Sequence, residues 1–139
     1  MKNKFKSEFL AIPQNEAFAR MCTAAFLLPA DPTVGEMSDI KTAVSEAVTN
    51  SVIHGYEERG GIIKMCAELD GKNVYIEISD EGCGIEDIEA ARKPLFTTKP
   101  DCERSGMGFT VMEAFMDTVR VISEKNAGTM GIMTKKLRG

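Results

Sequence analysis

Residues 36–55 read EMSDIKTAVSEAVTNSVIHG. Within them Ile40, Ala43, Val44, Ala47, Val48 and Ser51 recur at the i, i+3, i+4, i+7 spacing of one helical face. The pattern predicts a long helix from Glu36 to His54, with Gly55 just beyond it, where a helix C-cap favours glycine. Glu46, Asn50 and His54 stand four residues apart, so at about 100° per residue they form a polar row. That row lies along one edge of the apolar stripe. A solvated flank and the rim of a polar cavity both fit this placement.

Downstream, two strands are expected at Gly61–Leu69 and Asn73–Ser79, joined at Asp70-Gly71, a strong hairpin signal. Val74, Ile76 and Ile78 share one face, and Asp80 has their parity. An inward carboxylate is unfavourable without a partner, so Asp80 is either a strand-end turn residue or part of a polar site. Gly82 and Gly84 follow, with Cys83 between them, and glycines let a ligand approach the backbone. A short helix is expected over Ile85–Ala91, then a long mobile loop from Arg92 to Ser105, and a second core helix from Met107 to Met116. Gly106 and Gly108 open that helix, where exposed N–H groups and the dipole favour an anion; a flexible hinge is the other reading. The last strands fall at Thr118–Ser123 and Thr129–Lys136, joined through Asn126 and Gly128.

Upstream, Lys4–Ile12 alternates as a strand and Pro13 ends it. Asn15 is placed to cap a helix from Glu16 to Leu28, and Pro29–Gly35 reads as a loop. The order β, α, α, β, β, α, loop, α, β, β predicts an α/β (α+β) two-layer sandwich: a mixed, mostly antiparallel sheet with helices on one face. It is not the alternation of a Rossmann fold.

The 139 residues fit a single domain, 1–139, long enough to fold without disulfides or metal. A net charge of −4 argues against nucleic acid as a direct partner. No apolar run reaches membrane-spanning length, and the basic N-terminus lacks the apolar core of a signal peptide. Cys22, Cys66, Cys83 and Cys102 form no Cys-x-x-Cys pair, and His54 is the single histidine. These features predict reduced thiols, no zinc site and a cytoplasmic location.

Glu46-x-x-x-Asn50, Asp80-x-Gly82-x-Gly84 and Gly106-x-Gly108 resemble the three boxes of the GHKL ATP-binding superfamily, which includes gyrase and histidine kinases. The strings Ser45–Tyr56, Pro94–Pro100 and Glu103–Phe109 are similar to one branch, the anti-sigma-F factors of endospore-forming bacteria. The resemblance implies the GHKL (Bergerat) ATP-binding fold and a homodimeric serine kinase. Such a protein inhibits a sporulation RNA polymerase sigma factor and phosphorylates an anti-anti-sigma protein on serine, using ATP with Mg²⁺ and leaving ADP. It further implies Glu46 as general base, Asn50 as Mg²⁺ ligand, Asp80 as acceptor of the adenine amino group, and Gly82 and Gly84 beside the base. Thr129 is implied near adenine, although Met130 stands where a second hydroxyl residue is expected. Thr97, Thr98 and Lys99 fall in an ATP lid at about 92–107. Arg104, Ser105, Gly106, Met107 and Gly108 fall at the phosphates, and Arg20 at a partner surface. An alternative is a nucleotide-gated sigma-binding module with negligible kinase activity; the presence of Glu46 favours the enzyme.

Overall fold

Residues 1–56, 60–82, 106–124 and 128–138 are described by the computed structural model. Strand β1 (Lys2–Leu10) leads into helix α1 (Asn15–Leu27), a 3-10 turn at Leu28–Ala30, and helix α2 (Val34–Thr49). A π-helical turn, Asn50–Gly55, continues α2. Strands β2 (Ile62–Asp70) and β3 (Asn73–Asp80), helix α3 (Gly106–Phe115), and strands β4 (Thr118–Glu124) and β5 (Gly128–Lys136) follow.

Among the described residues the sheet has the order β1-β2-β3-β5-β4 and its four pairings are all antiparallel, where the sequence reading expected a mixed, mostly antiparallel sheet. The chain therefore leaves β3, crosses by way of α3 to β4 at the edge, and returns to insert β5 beside β3. This return sets Thr129 directly opposite Asp80 in the ladder. Gly71 takes φ +62° in the tight turn between β2 and β3, as the Asp-Gly signal implies.

The three helices among the described residues cover one sheet face. Ile40, Ala43, Val44, Ala47 and Val48 of α2 are buried, as the stripe predicts, against Ile63, Met65, Leu69, Val74, Ile76 and Met133 of the sheet. Ala19 and Leu27 of α1 and Met112 and Met116 of α3 complete the core. The other face carries Lys4, Lys6, Glu8, Lys64 and Arg120, all exposed, so the strands alternate apolar-in and polar-out. Among the described residues, no helix is long and apolar enough to cross a membrane.

Several element ends differ from the sequence reading. Helix α2 begins at Val34 rather than Glu36, because Thr33 and Glu36 form a capping box. The Thr33 Oγ1 accepts from the Glu36 N–H at 3.0 Å, and a Glu36 carboxylate oxygen accepts from the Thr33 N–H at 2.9 Å. Asn15 is the first residue of α1 and not its cap. Gln14 holds the cap position without a side-chain bond, and Asn15 Nδ2 instead donates to the Leu10 carbonyl at 2.8 Å. The α-helical part of α2 ends at Thr49, and the chain widens into the π-helical turn that reaches Gly55. Cys83, Cys102 and the expected helix at Ile85–Ala91 lie outside the described residues, as does the loop from Arg92 to Ser105.

Candidate functional site

The site is assembled where the end of α2 overhangs the ends of β3, β5 and β4. Asp80, Thr129 and Ser123 are successive register partners across those three strands. Asp80 and Thr129 are 6% and 7% exposed. Above them, Asn50 and Ser51 are 4% and 3% exposed. Four buried polar side chains in one place contrast with the apolar rows beneath them, where Ile78 and Val121 flank Gly131. Buried polar groups persist where they are hydrogen-bonded, and such convergence is typical of a ligand site.

The bonds are specific. Ser51 Oγ donates to Asp80 Oδ2 at 2.7 Å, and the Gly82 N–H donates to Asp80 Oδ1 at 3.0 Å. Thr129 Oγ1 lies 2.9 Å from Ser123 Oγ, which itself donates to the Gly128 carbonyl at 3.0 Å. A carboxylate offers about four lone-pair sites, so Asp80 has the chemistry to accept from a ligand edge that presents N–H groups. A narrow cavity of about 20 Å³ opens among Ala47, Asn50, Ser51, Asp80, Met112 and Thr129, room for about one water. A wider cavity of about 660 Å³, lined by Glu8, Lys64, Ile122 and Met130, also reaches Asp80 and Thr129.

Ser51 reaches Asp80 from the sheet-facing stripe of the helix, and the π-helical turn begins around it. In a continuous α-helix Ser51 extends the apolar stripe. An i→i+5 turn adds a residue per turn and rotates the following side chains, a device frequent at functional sites. The Tyr56 N–H bonds to the Ser51 carbonyl at 2.9 Å and closes the turn.

Glu46 sits one turn before Asn50 on α2, half-buried. Its carboxyl is raised above the ordinary value of 4.5, first by burial and second by the negative charge of Glu16 on α1. Arg20 is not in the Asp80 cluster. It lies on α1, where its Nη1 meets Glu16 Oε1 at 3.1 Å in an i, i+4 pair. Glu16 thus stands electrostatically between Arg20 and Glu46.

Gly106, Met107 and Gly108 form the first turn of α3, so their backbone occupies a helix N-terminus. Gly84, Thr97, Thr98, Lys99, Arg104 and Ser105 lie outside the described residues. His54 contributes backbone to the π-helical turn.

Four residues of the site, Ser51, Tyr56, Ser123 and Gly128, are not marked as functional by the sequence pattern. The available signal for Ser51 was a hydroxyl on an otherwise apolar stripe, which requires a buried partner. In the sequence Gly128 marks only a joint between strands. It takes φ +113°, and a Cβ there would strike the Asp80 carbonyl oxygen and lie 2.8 Å from Glu81 Cα. Its lack of a side chain lets β5 start against the end of β3.

The chain matches the histidine kinase-like ATPase domain family over residues 10–135. It is 55% identical over 136 residues to an anti-sigma F factor of Clostridium acetobutylicum, covering 98% of this chain and 95% of that one. An anti-sigma F factor of Clostridium botulinum strain Alaska E43 is 59% identical, with 97% and 95% covered. The fold is shared with the RsbU and RsbW domains of a Mycobacterium tuberculosis protein at a TM-score of 0.71 and 22% identity; 99% of this chain and 33% of that one are covered. It is shared also with the catalytic domain of the histidine kinase ThkA, at a TM-score of 0.59, 17% identity and 96% of each chain.

Proposed function

The chain belongs to the anti-sigma F factor family within the histidine kinase-like ATPases, and from that premise we propose that it is an ATP-dependent serine kinase that also binds and inhibits a sporulation sigma factor. Its phosphoryl acceptor is a serine on an anti-anti-sigma protein, and it works as a homodimer. The observation that carries the nucleotide half is the buried Ser51–Asp80–Thr129 cluster beside Asn50 and Glu46.

In this reading Asp80, oriented by Ser51 and the Gly82 N–H, accepts the adenine amino group. Thr129 lines the same end, and Gly82 and Gly84 leave room beside the base. The first turn of α3, at Gly106, Met107 and Gly108, faces the phosphates with N–H groups. Thr97, Thr98, Lys99, Arg104 and Ser105 belong to a lid at about 92–107 that covers them. A buried amide oxygen suits a hard cation, so Asn50 is the residue that would hold Mg²⁺. When bound, Mg²⁺ neutralises phosphate charge. Glu46 takes the proton of the acceptor serine as its oxygen bonds to the terminal phosphorus and the bond to the ADP oxygen breaks. A carboxylate with raised proton affinity is a better base for that step. Arg20, at the half-exposed surface of α1, is assigned to partner contact.

The test is incubation with Mg-ATP and a cognate anti-anti-sigma protein, followed by detection of phosphoserine. Phosphoserine on the partner is the expected result. ATP binding without transfer overturns the kinase reading and leaves a nucleotide-gated sigma binder, which a sigma-factor pull-down with ATP, ADP and no nucleotide then examines.

A further inference from the structure

Tyr56 stands one residue beyond the π-helical turn, and both its backbone N–H and its hydroxyl are used. Its N–H donates to the Ser51 carbonyl at 2.9 Å. Its hydroxyl donates to the Ile62 carbonyl at 2.7 Å and accepts from the Glu81 N–H at 2.7 Å. The β2–β3 register ends at Lys64 opposite Ser79. Continued two residues outward it would set Ile62 against Glu81. The tyrosine hydroxyl occupies the place of that next rung, donor to one strand and acceptor from the other.

The ring is fixed as tightly as the hydroxyl. A Cβ on Gly61 would lie 2.6 Å from the ring carbon that bears the oxygen, so the ring rests directly on backbone. Burial raises the phenol above its ordinary value of 10.0 and outweighs the lowering by the hydrogen bond from the Glu81 N–H, with the Asp80 charge adding to the rise, so the hydroxyl keeps its proton at neutral pH.

The consequence lies one residue away. Asp80 immediately precedes Glu81, and Ser51 is the residue whose carbonyl Tyr56 holds. Tyr56 therefore grips both ends of the Ser51–Asp80 bond: its N–H holds the turn and its O–H holds the strand end. Together they tie to one residue the two backbone segments that the Ser51–Asp80 bond spans.

We propose that Tyr56 is a positioning residue that sets Asp80 against the nucleobase and so determines selection for a base bearing a 6-amino group. The proposal rests on the adenine role assigned to Asp80 above. Its test compares ATP with inosine triphosphate, which carries an oxygen in place of that amino group. Affinities of both are measured by calorimetry on the full chain and on Tyr56→Phe, which keeps the ring on Gly61 and loses only the hydroxyl.

The wild type is expected to prefer ATP. Tyr56→Phe is expected to lose about tenfold in ATP affinity, the worth of one to two hydrogen bonds, with inosine triphosphate within about twofold. The ratio of affinities does not depend on the folded fraction of the sample, so general destabilisation leaves it unchanged. Gly61→Ala displaces the ring with the hydroxyl retained and is expected to lower the ratio too. An unchanged ratio in Tyr56→Phe overturns the proposal. A wild type that binds both nucleotides equally overturns the adenine role of Asp80, and the proposal with it.

Discussion

Gly128→Ala probes the joint on which the site is built. The residue takes φ +113°, a region that an L side chain occupies at a cost of about 1–3 kcal/mol. The added methyl would overlap the Asp80 carbonyl oxygen and sit 2.8 Å from Glu81 Cα, where carbon atoms normally rest about 3.5–4.0 Å apart. Backbone stands on both sides of the clash, so no side chain can rotate away. The start of β5 and the end of β3 must separate by about 1 Å. Strain and lost packing together are expected to lower stability by about 3 kcal/mol or more. Gly71 is the internal control. Its φ is +62°, but a Cβ there meets nothing within 4 Å, so Gly71→Ala carries the backbone term alone, about 1 kcal/mol. Urea unfolding of the three proteins, read by circular dichroism, measures the difference. Calorimetry with ADP then reports whether Asp80 has moved, with affinity lost in Gly128→Ala and kept in Gly71→Ala. Equal stability of the two variants would refute the close approach of β5 to β3.

Glu46→Gln is expected to keep ADP binding and abolish phosphoryl transfer; lost binding would make Glu46 structural. Burial and Glu16 raise this carboxyl in the folded state, so its ionised form destabilises the fold, an effect absent below the ordinary value of 4.5 and complete above the raised one. The variant should therefore melt higher than wild type at pH 7 and equally near pH ~3.5; the reverse order would contradict the sign. Ser51→Ala removes a buried bond of 2.7 Å to a carboxylate, worth about 1.5–3 kcal/mol, and should lower both urea stability and ADP affinity. A change under about 0.5 kcal/mol would mean the bond is not formed in solution.

Residues 36–55 and the Asp70-Gly71 turn made the helix, the hairpin and the inward parity of Asp80 readable, because periodicity and turn chemistry are local properties of a chain. The buried stripe of α2, Ile40 through Ser51, follows from that pattern alone. The spacing of Glu46 and Asn50 likewise marked the helix edge that borders the site. Tertiary structure decided the rest. Strand order is not written in any strand, and only the insertion of β5 between β3 and β4 sets Thr129 opposite Asp80. The π-helical turn that follows Ser51 is held by Tyr56, whose hydroxyl partners lie 6 and 25 residues further along. The need for glycine at 128 exists only once β3 is beside it. Each of these depends on contacts between segments distant in sequence, whose free energy no local pattern encodes.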